Sequence, residues 1–170
     1  MLRHHLLKVA AALALLTLLG ADVDTGNLLA DPADPASWTL QLHADAAATL
    51  TATDDGQLVL DVTEPGSERW HVQLYRAGVP LVEGTRYVLN ADVRADPRRP
   101  ALVLCVRDAD GKWQDAGFRV DVDLAGGYEE HEFTFTATNL GGGAARVPLL
   151  ALGKERGRYH LKNVTLTALD

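Results

Sequence analysis

The chain of 170 residues is poor in cysteine and in positive charge. Its single cysteine, Cys105, cannot close an internal disulfide or supply a cysteine-rich zinc site. The chain has 16 Lys and Arg against 23 Asp and Glu, a formal net charge of −7, whereas a nucleic-acid binder normally carries a basic patch. The apolar content of 47% argues against wholesale disorder, and the length suits one domain with an appendage.

Residue constellations typical of enzymes are also scarce. The only serines, Ser37 and Ser67, do not lie in a nucleophile elbow. Beyond the first 21 residues, no two histidines have the spacing of a metal-ligand pair. Cys105 lies within the apolar run 102–106, which indicates a buried and inert thiol.

The longest apolar run, residues 9–19, is too short for a comfortable membrane span. It follows a short basic stretch, and this order is typical of a secretory signal peptide. We therefore expect residues 1–21 to be removed near Gly20 or Ala21, although no Ala-x-Ala motif precedes Asp22. The alternative is an uncleaved amphipathic or anchoring helix. An exported protein would be secreted or periplasmic.

Beyond residue 22, apolar and polar residues alternate with a period of two, which is typical of strands with one buried face. The clearest runs are 57–63, 70–75, 86–95 and 129–136, and further runs compatible with strands are 101–107, 118–123, 146–152 and 159–168. Asp-Gly pairs at 55–56 and 110–111 favour tight hairpin turns. We predict an all-β fold, a single antiparallel β-sandwich over residues 22–170.

Two of the predicted strands carry polar residues opposite their apolar face. The first presents His71, Gln73 and Tyr75, and the second presents Asn90, Asp92 and Arg94. If these strands are neighbours in one sheet, the six residues form a polar patch that suits hydrogen bonding and stacking on a sugar. A solvated antiparallel sheet shows the same pattern without any ligand.

The aromatic side chains number ten: three Trp, four Tyr and three Phe. We assign Trp70, Tyr87, Phe133 and Phe135 to the core, Trp38 to an edge of the sandwich, and a structural role to Tyr128. Trp113 follows a predicted hairpin turn and is either an exposed platform or a cap over a sheet end. Tyr75 and Trp113 are the leading platforms for a ligand. Because so few aromatic side chains are available as platforms, we predict either weak ligand binding dominated by hydrogen bonds or no ligand binding.

Four motifs in order resemble a known family. They are NLLAD at 27–31 followed by Trp38, WHVQL at 70–74, GTRYVLNADVRA at 84–95, and ALG at 151–153 with YHLKNVTL at 159–166. They resemble strands of the jelly-roll carbohydrate-binding modules of families four, nine and twenty-two, which are of the cellulose- and xylan-binding type. The resemblance implies a jelly roll that binds a polysaccharide or oligosaccharide without catalysis, in a cleft on the concave face of one sheet. It also implies that Gln73, Asn90, Asp92 and Arg94 face that cleft.

The resemblance also raises the question of calcium. Such modules often hold a structural calcium ion through oxygen ligands, between the opening segment and the closing strand. Asp31, Asp34 and Asp170 are weak candidates for ligands, but Lys162 stands where an acidic residue is frequent. Calcium is therefore an open expectation, and no other cofactor is expected.

Two other functions stay open beside glycan binding. A structural or assembly domain of the cell envelope would contact a protein through its sheet face, and departures from many relatives at Ala33, Ala91 and Lys162 favour it. A jelly-roll polysaccharide lyase would use a Tyr or His base and a neutralising Gln or Arg. The lyase residues would be His71, Gln73, Tyr75 and Arg94. For the binding function, the predicted ligand-binding residues are His71, Gln73, Tyr75, Asn90, Asp92, Arg94 and Trp113, with no catalytic residue.

Overall fold

The structure, a computed structural model, describes residues 26–109, 112–141 and 145–169. The predicted signal peptide at 1–21 and Asp170 lie outside the described residues. Within the described ranges, no helix is long and apolar enough to cross a membrane.

The described chain is almost entirely strand. The strands are β1 (Thr39–Leu42), β2 (Ala47–Ala52), β3 (Leu58–Glu64), β4 (Val72–Val79), β5 (Arg86–Asp96), β6 (Arg99–Ala109), β7 (Lys112–Leu124), β8 (Glu129–Thr136), β9 (Ala145–Ala151) and β10 (Gly157–Leu169). Two short 3-10 turns, Pro35–Ser37 and Arg69–His71, precede β1 and β4. The predicted all-β class is confirmed.

The strands form two five-stranded antiparallel sheets. The front sheet has the order β1-β4-β9-β6-β7, and the back sheet has the order β2-β3-β10-β5-β8. The predicted antiparallel sandwich is therefore confirmed. Consecutive strands β4 and β5 lie in different sheets, because the chain crosses from the front sheet to the back sheet between them.

The main core lies between the two sheets. In β5 every second residue is buried, including Tyr87 and Leu89, because successive side chains of a strand point to opposite faces. Phe118 of the front sheet packs against Phe133 and Phe135 of the back sheet, with ring centroids 5.2 and 5.3 Å apart. The core positions predicted for Tyr87, Phe133 and Phe135 are confirmed.

The front sheet has a second apolar cluster on its outer face. It consists of Tyr75, Leu102, Leu104, Val106, Leu149 and Ala151 and is separate from the main core. In β6, these outward residues alternate with Val103 and Cys105, which point into the core. The central strands of the front sheet are thus apolar on both faces. We call the outer cluster the floor cluster.

The predicted opening strand at 27–31 is not a strand in the structure. Its hydrogen bonds run through a side chain instead: Asn27 Oδ1 accepts from the Leu166 amide at 3.0 Å and the Leu29 amide at 3.1 Å. The Leu28 amide donates to the Leu166 carbonyl at 2.8 Å, and Leu29 is buried. The segment therefore docks on β10 without extending the sheet.

The turn chemistry predicted two hairpins. Gly56 has φ +77° and its amide donates to the Thr53 carbonyl at 2.9 Å, which confirms the β2–β3 hairpin. Strands β6 and β7 pair directly, with Ala109 opposite Lys112. The Asp-Gly pair predicted for that turn, residues 110–111, lies outside the described residues.

Candidate functional site

The outer face of the front sheet carries an open cleft of about 580 Å³. Its base is formed by members of the floor cluster, Leu102, Leu104, Val106, Leu149 and Ala151. Around this apolar base stand Glu68, Arg69, Trp70, Gln73, Trp113, Asp115, Arg119 and Lys154. Concave sites of this size with a few placed polar groups are typical of small-ligand and oligomer binding.

Two half-exposed tryptophans flank the cleft. Trp70 precedes β4 and is 51% exposed, while Trp113 lies in β7 and is 46% exposed. Strands β4 and β7 are three positions apart in the front sheet, which at about 4.8 Å per strand is roughly 14 Å across the sheet. Along the strands the two indoles are separated further, because the partner of Trp113 on β6 lies six residues beyond Leu102, which is level with Gln73. The two indoles thus bracket the apolar base. Of the two roles open for Trp113, the structure shows an exposed ring beside the cleft.

The assignment of Trp70 to the core is wrong. The alternation that predicted it continues only from Val72, where β4 begins, because Arg69–His71 form a 3-10 turn. This turn directs Trp70 outward and buries His71, which is 7% exposed. The His71 ring meets the Trp70 ring edge to face, with centroids 4.3 Å apart. His71 therefore supports the indole from below and is not itself accessible.

Gln73 and Tyr75 lie on the predicted outer face of β4, but both are buried. The Gln73 Nε2 group donates to the Trp70 carbonyl at 2.8 Å, which ties the 3-10 turn to the strand. The Tyr75 hydroxyl donates to Gln41 Oε1 at 3.3 Å. The expectation that Tyr75 is an exposed platform is wrong, because its ring is 6% exposed and belongs to the floor cluster.

Arg146 of β9 covers Tyr75. Its guanidinium carbon lies 4.1 Å from the centroid of the Tyr75 ring and 3.6 Å from that of the Trp113 ring. Its Nη1 group also donates to Gln41 Oε1 at 2.8 Å. Cation–π stacking of this kind restrains an otherwise mobile surface indole. Sequence patterns did not indicate Arg146, because its partners come from three other strands.

The six-residue polar patch is not assembled, and that expectation is wrong. Asn90, Asp92 and Arg94 lie on β5 in the back sheet, whereas Gln73 and Tyr75 lie on β4 in the front sheet. Period-two alternation assigns a face within a strand but does not tell which strands are neighbours. The residues considered for a lyase are also separated, because Arg94 lies on the back sheet and Gln73 and Tyr75 lie on the front sheet.

The outer face of the back sheet has its own contacts. Asp92 accepts from Asn163 Nδ2 at 2.7 Å, and Arg94 contacts His160 Nδ1 at 3.3 Å. Burial, followed by the charge of Arg94, lowers the pKa of His160. Lys162 and Arg94 lie 4.2 and 5.3 Å from the centroid of the Tyr128 ring. Two cations thus cover the aromatic ring on this face.

Of the residues considered for calcium, Asp31 and Asp34 lie near Arg76, and Asp170 lies outside the described residues. Asp34 Oδ1 accepts from the Ala36 amide at 2.9 Å and caps the first 3-10 turn. The buried Arg76 guanidinium donates to the Ala30 carbonyl at 2.7 Å. Burial lowers the pKa of Arg76, and the charges of Asp31 and Asp34 oppose that shift. Among the described residues, no group of three His, Cys, Asp or Glu can hold a metal ion. A resident guanidinium disfavours a second cation beside it.

The fold and the cleft together define a class of protein. An antiparallel β-sandwich with an open cleft on one sheet, apolar at its base and flanked by exposed indoles, is suited to the apolar faces of sugar rings. The sequence comparison agrees. The chain belongs to the carbohydrate binding domain family, whose sequence model matches residues 33–149. The function of this domain is therefore non-catalytic glycan binding.

Solved structures of such domains share the fold. A CBM4 structure superposes with a TM-score of 0.68 at 21% identity, covering 78% of this chain and 86% of that chain. The second N-terminal cellulose-binding domain of Cellulomonas fimi β-1,4-glucanase C gives 0.58 at 21% identity, covering 86% and 93%. The CBM22-1 xylan-binding domain of Paenibacillus barcinonensis Xyn10C gives 0.52 at 14%, covering 85% and 92%. No curated protein sequence matches the chain.

Proposed function

We propose that the cleft on the outer face of the front sheet is the glycan site and that it binds one polysaccharide chain laid across the sheet. The observation that carries this proposal is the pair of half-exposed indoles, Trp70 and Trp113, on either side of one apolar base. Among the described residues, no other face of the sandwich exposes two tryptophans.

The chemistry of the cleft suits a sugar ring. The C–H face of a pyranose is apolar and stacks on an indole, while its hydroxyls point outward around the ring and need donors and acceptors at the side. Glu68, Arg69 and Asp115 supply such groups at the margin of the cleft. Because the cleft is open and its platforms are only two, we expect modest affinity that grows with the number of sugar units bound.

The ligand class is a β-1,4-linked polymer. Cellulose and xylan, named for the solved relatives from Cellulomonas fimi and Paenibacillus barcinonensis, are both extended chains of this linkage. An extended chain exposes successive ring faces, and these can reach two platforms that lie three strand positions apart on one sheet.

Affinity gel electrophoresis of the folded protein in gels that contain soluble cellulose derivatives or xylan tests the proposal. We expect retardation by at least one polymer, and about a tenfold weaker interaction for Trp70→Ala and for Trp113→Ala. Tyr128→Ala on the back sheet is the matched aromatic control and should behave as the parent protein.

The opposite pattern would refute the assignment of the cleft. Weaker binding by Tyr128→Ala or Arg94→Ala, with Trp70→Ala unchanged, would move the site to the back sheet. A folded protein that no polysaccharide retards would instead favour a structural or assembly domain with a protein partner.

We further propose that the domain works outside the cytoplasm, as expected for a protein whose ligand is a polysaccharide. The basic and apolar order of residues 1–19 supports export. Expression of the full chain in a secreting bacterium should yield mature protein that begins near Asp22, as measured by intact mass. Full-length protein retained in the cell would contradict export.

A further inference from the structure

We propose that the same cleft prefers an anionic polysaccharide, one whose sugar rings carry carboxylates. The inference rests on the proposed function and names the substrate class of that site. The protein as a whole carries a formal net charge of −7, yet Arg69, Arg119 and Lys154 all line the cleft. Three cations at the ligand site of an acidic protein indicate a ligand that carries negative charge.

Some charges at the cleft are already matched within the protein. Arg69 forms an ion pair with Asp121 at the margin of the front sheet. Asp115 Oδ1 accepts from the amides of Gly117 and Phe118, at 2.8 and 3.1 Å, where β7 bends. The ion pair therefore cancels the charge of Arg69, whereas Asp115 is fixed in the cleft wall and keeps its negative charge.

Arg119 and Lys154 are different. Both are exposed, and neither forms a hydrogen bond or an ion pair with any residue that the structure describes. Arg119 lies directly opposite Leu104 of the floor cluster, so its guanidinium borders the apolar base. Lys154 follows β9 and borders the cleft from the turn that leads to β10. The one lining carboxylate without a described partner is that of Glu68.

Two unmatched cations beside an apolar base suit a uronate. The ring of a uronic acid stacks on an indole like any pyranose, while its carboxylate accepts two parallel hydrogen bonds from a guanidinium. At physiological ionic strength charges are screened beyond about 8 Å, so acidic residues elsewhere on the surface oppose such a ligand only weakly. A sulfate ester offers related anionic chemistry, and the experiment distinguishes the two.

Isothermal titration calorimetry of the full chain measures this preference with three matched polymers. They are a glucuronoxylan, the same polymer after chemical reduction of its carboxyl groups, and a sulfated xylan. We expect the parent polymer to bind at least about fivefold more tightly than the reduced one, and the difference to shrink as salt is raised. If only the sulfated xylan binds more tightly than the reduced polymer, the cleft prefers sulfate esters and the carboxylate preference is overturned.

Variants test which residues carry the preference. Arg119→Gln and Lys154→Gln should each lower the ratio of parent to reduced affinity by about threefold. Arg86→Gln, which removes an exposed arginine from the back sheet, is the control and should leave that ratio unchanged. If Arg86→Gln lowers the ratio of parent to reduced affinity as much as the two cleft variants do, the preference comes from net charge. That result would overturn the role of the cleft.

The outcomes separate this inference from the proposed function. If both xylans bind equally and Trp70→Ala weakens both, the glycan site stands and the anionic preference fails. If neither polymer binds the folded protein, and no neutral polymer does, both proposals fail.

Discussion

At the scale of single residues, the tryptophans of the cleft depend on supporting side chains. His71 is buried beneath Trp70, and Gln73 holds the carbonyl of the same tryptophan. Arg146 restrains Trp113 from the other side of the cleft. Two of the predicted ligand-binding residues, His71 and Gln73, thus contact Trp70 and hold its indole in place.

Cys105 gives the stability of the fold a dependence on alkaline pH. Burial raises the pKa of its thiol from an ordinary 9.0 to about 12. Above pH 9 the unfolded chain releases this proton while the native chain keeps it, so the free energy of unfolding falls between pH 9 and 12. Burial also raises the pKa of the Tyr159 hydroxyl to about 12, which adds to the loss above pH 10.

Urea unfolding of the parent and of Cys105→Ala at pH 8 and pH 10.5 measures the contribution. The variant should be less stable at both pH values because of the cavity, but should lose about 2 kcal/mol less between them. An identical loss in both proteins would contradict the buried, protonated thiol. Native Cys105 should also resist a thiol reagent until the chain unfolds.

At the scale of the elements, one close approach positions the turn that carries Trp70. The Gly153 amide, after β9, donates to the Arg69 carbonyl at 2.8 Å. A Cβ atom on Gly153 would lie 2.5 Å from the Glu68 carbonyl oxygen and 2.7 Å from the Val72 nitrogen. There is no room for a side chain, and the obstructing atoms are backbone.

Gly153→Ala should therefore displace the 3-10 turn. We expect a loss of about 1–3 kcal/mol in the free energy of unfolding, as in other overpacked sites, together with weaker polysaccharide binding in affinity gels. Gly127→Ala is the matched control, because a Cβ there meets nothing within 4 Å. Normal binding and stability in Gly153→Ala would show that the close contact between Gly153 and the turn does not position the turn.

The positions of most strands could be predicted from the sequence, but their neighbours could not. Alternation identified the ranges of β3, β5 and β8 within a few residues, because one face of each packs toward the core. It could not assign β4 and β5 to different sheets, since a period of two describes a face and not a partner. The candidate site was predicted least well from the sequence, because it is assembled from the neighbouring strands β4, β9, β6 and β7.

Trp70 shows the same limit locally. The alternation in the run 70–75 is apolar at Trp70, Val72 and Leu74, and only the last two point into the core. A 3-10 turn has no strong sequence signal here, so the residue that matters most to the cleft was assigned to the interior. The resemblance to carbohydrate-binding modules identified the family from residues that are mostly core and turn positions, and the family is confirmed.

At the scale of the whole molecule, side-chain hydrogen bonds tie the amino-terminal segment to the sandwich. Asn27 bonds it to β10, and the buried Arg76 guanidinium bonds it to β4 through the Ala30 carbonyl. The Arg76 guanidinium carbon also lies 5.7 Å from the centroid of the Trp38 ring. Arg76 thereby brings a positive charge near the aspartates that were considered for calcium.

We expect calcium to have no effect on stability. The melting temperature in 1 mM CaCl₂ should agree with that in excess EDTA within about 1 °C. A site occupied at a hundred times its dissociation constant would add about 2.7 kcal/mol and raise the melting temperature by at least about 5 °C. A rise of that size would establish a calcium site and contradict the role assigned to Arg76.

The central claim is that glycan binds between Trp70 and Trp113, and the three indole N–H groups of the protein report on it directly. In a ¹H–¹⁵N correlation spectrum titrated with a xylo- or cello-oligosaccharide, the indole signals of Trp70 and Trp113 should shift with a common dissociation constant. The Trp38 indole, which is buried and donates to the Pro32 carbonyl at 2.9 Å, should not move. Shifts confined to back-sheet residues such as Arg94 and Lys162, with the Trp70 and Trp113 signals unchanged, would contradict the account.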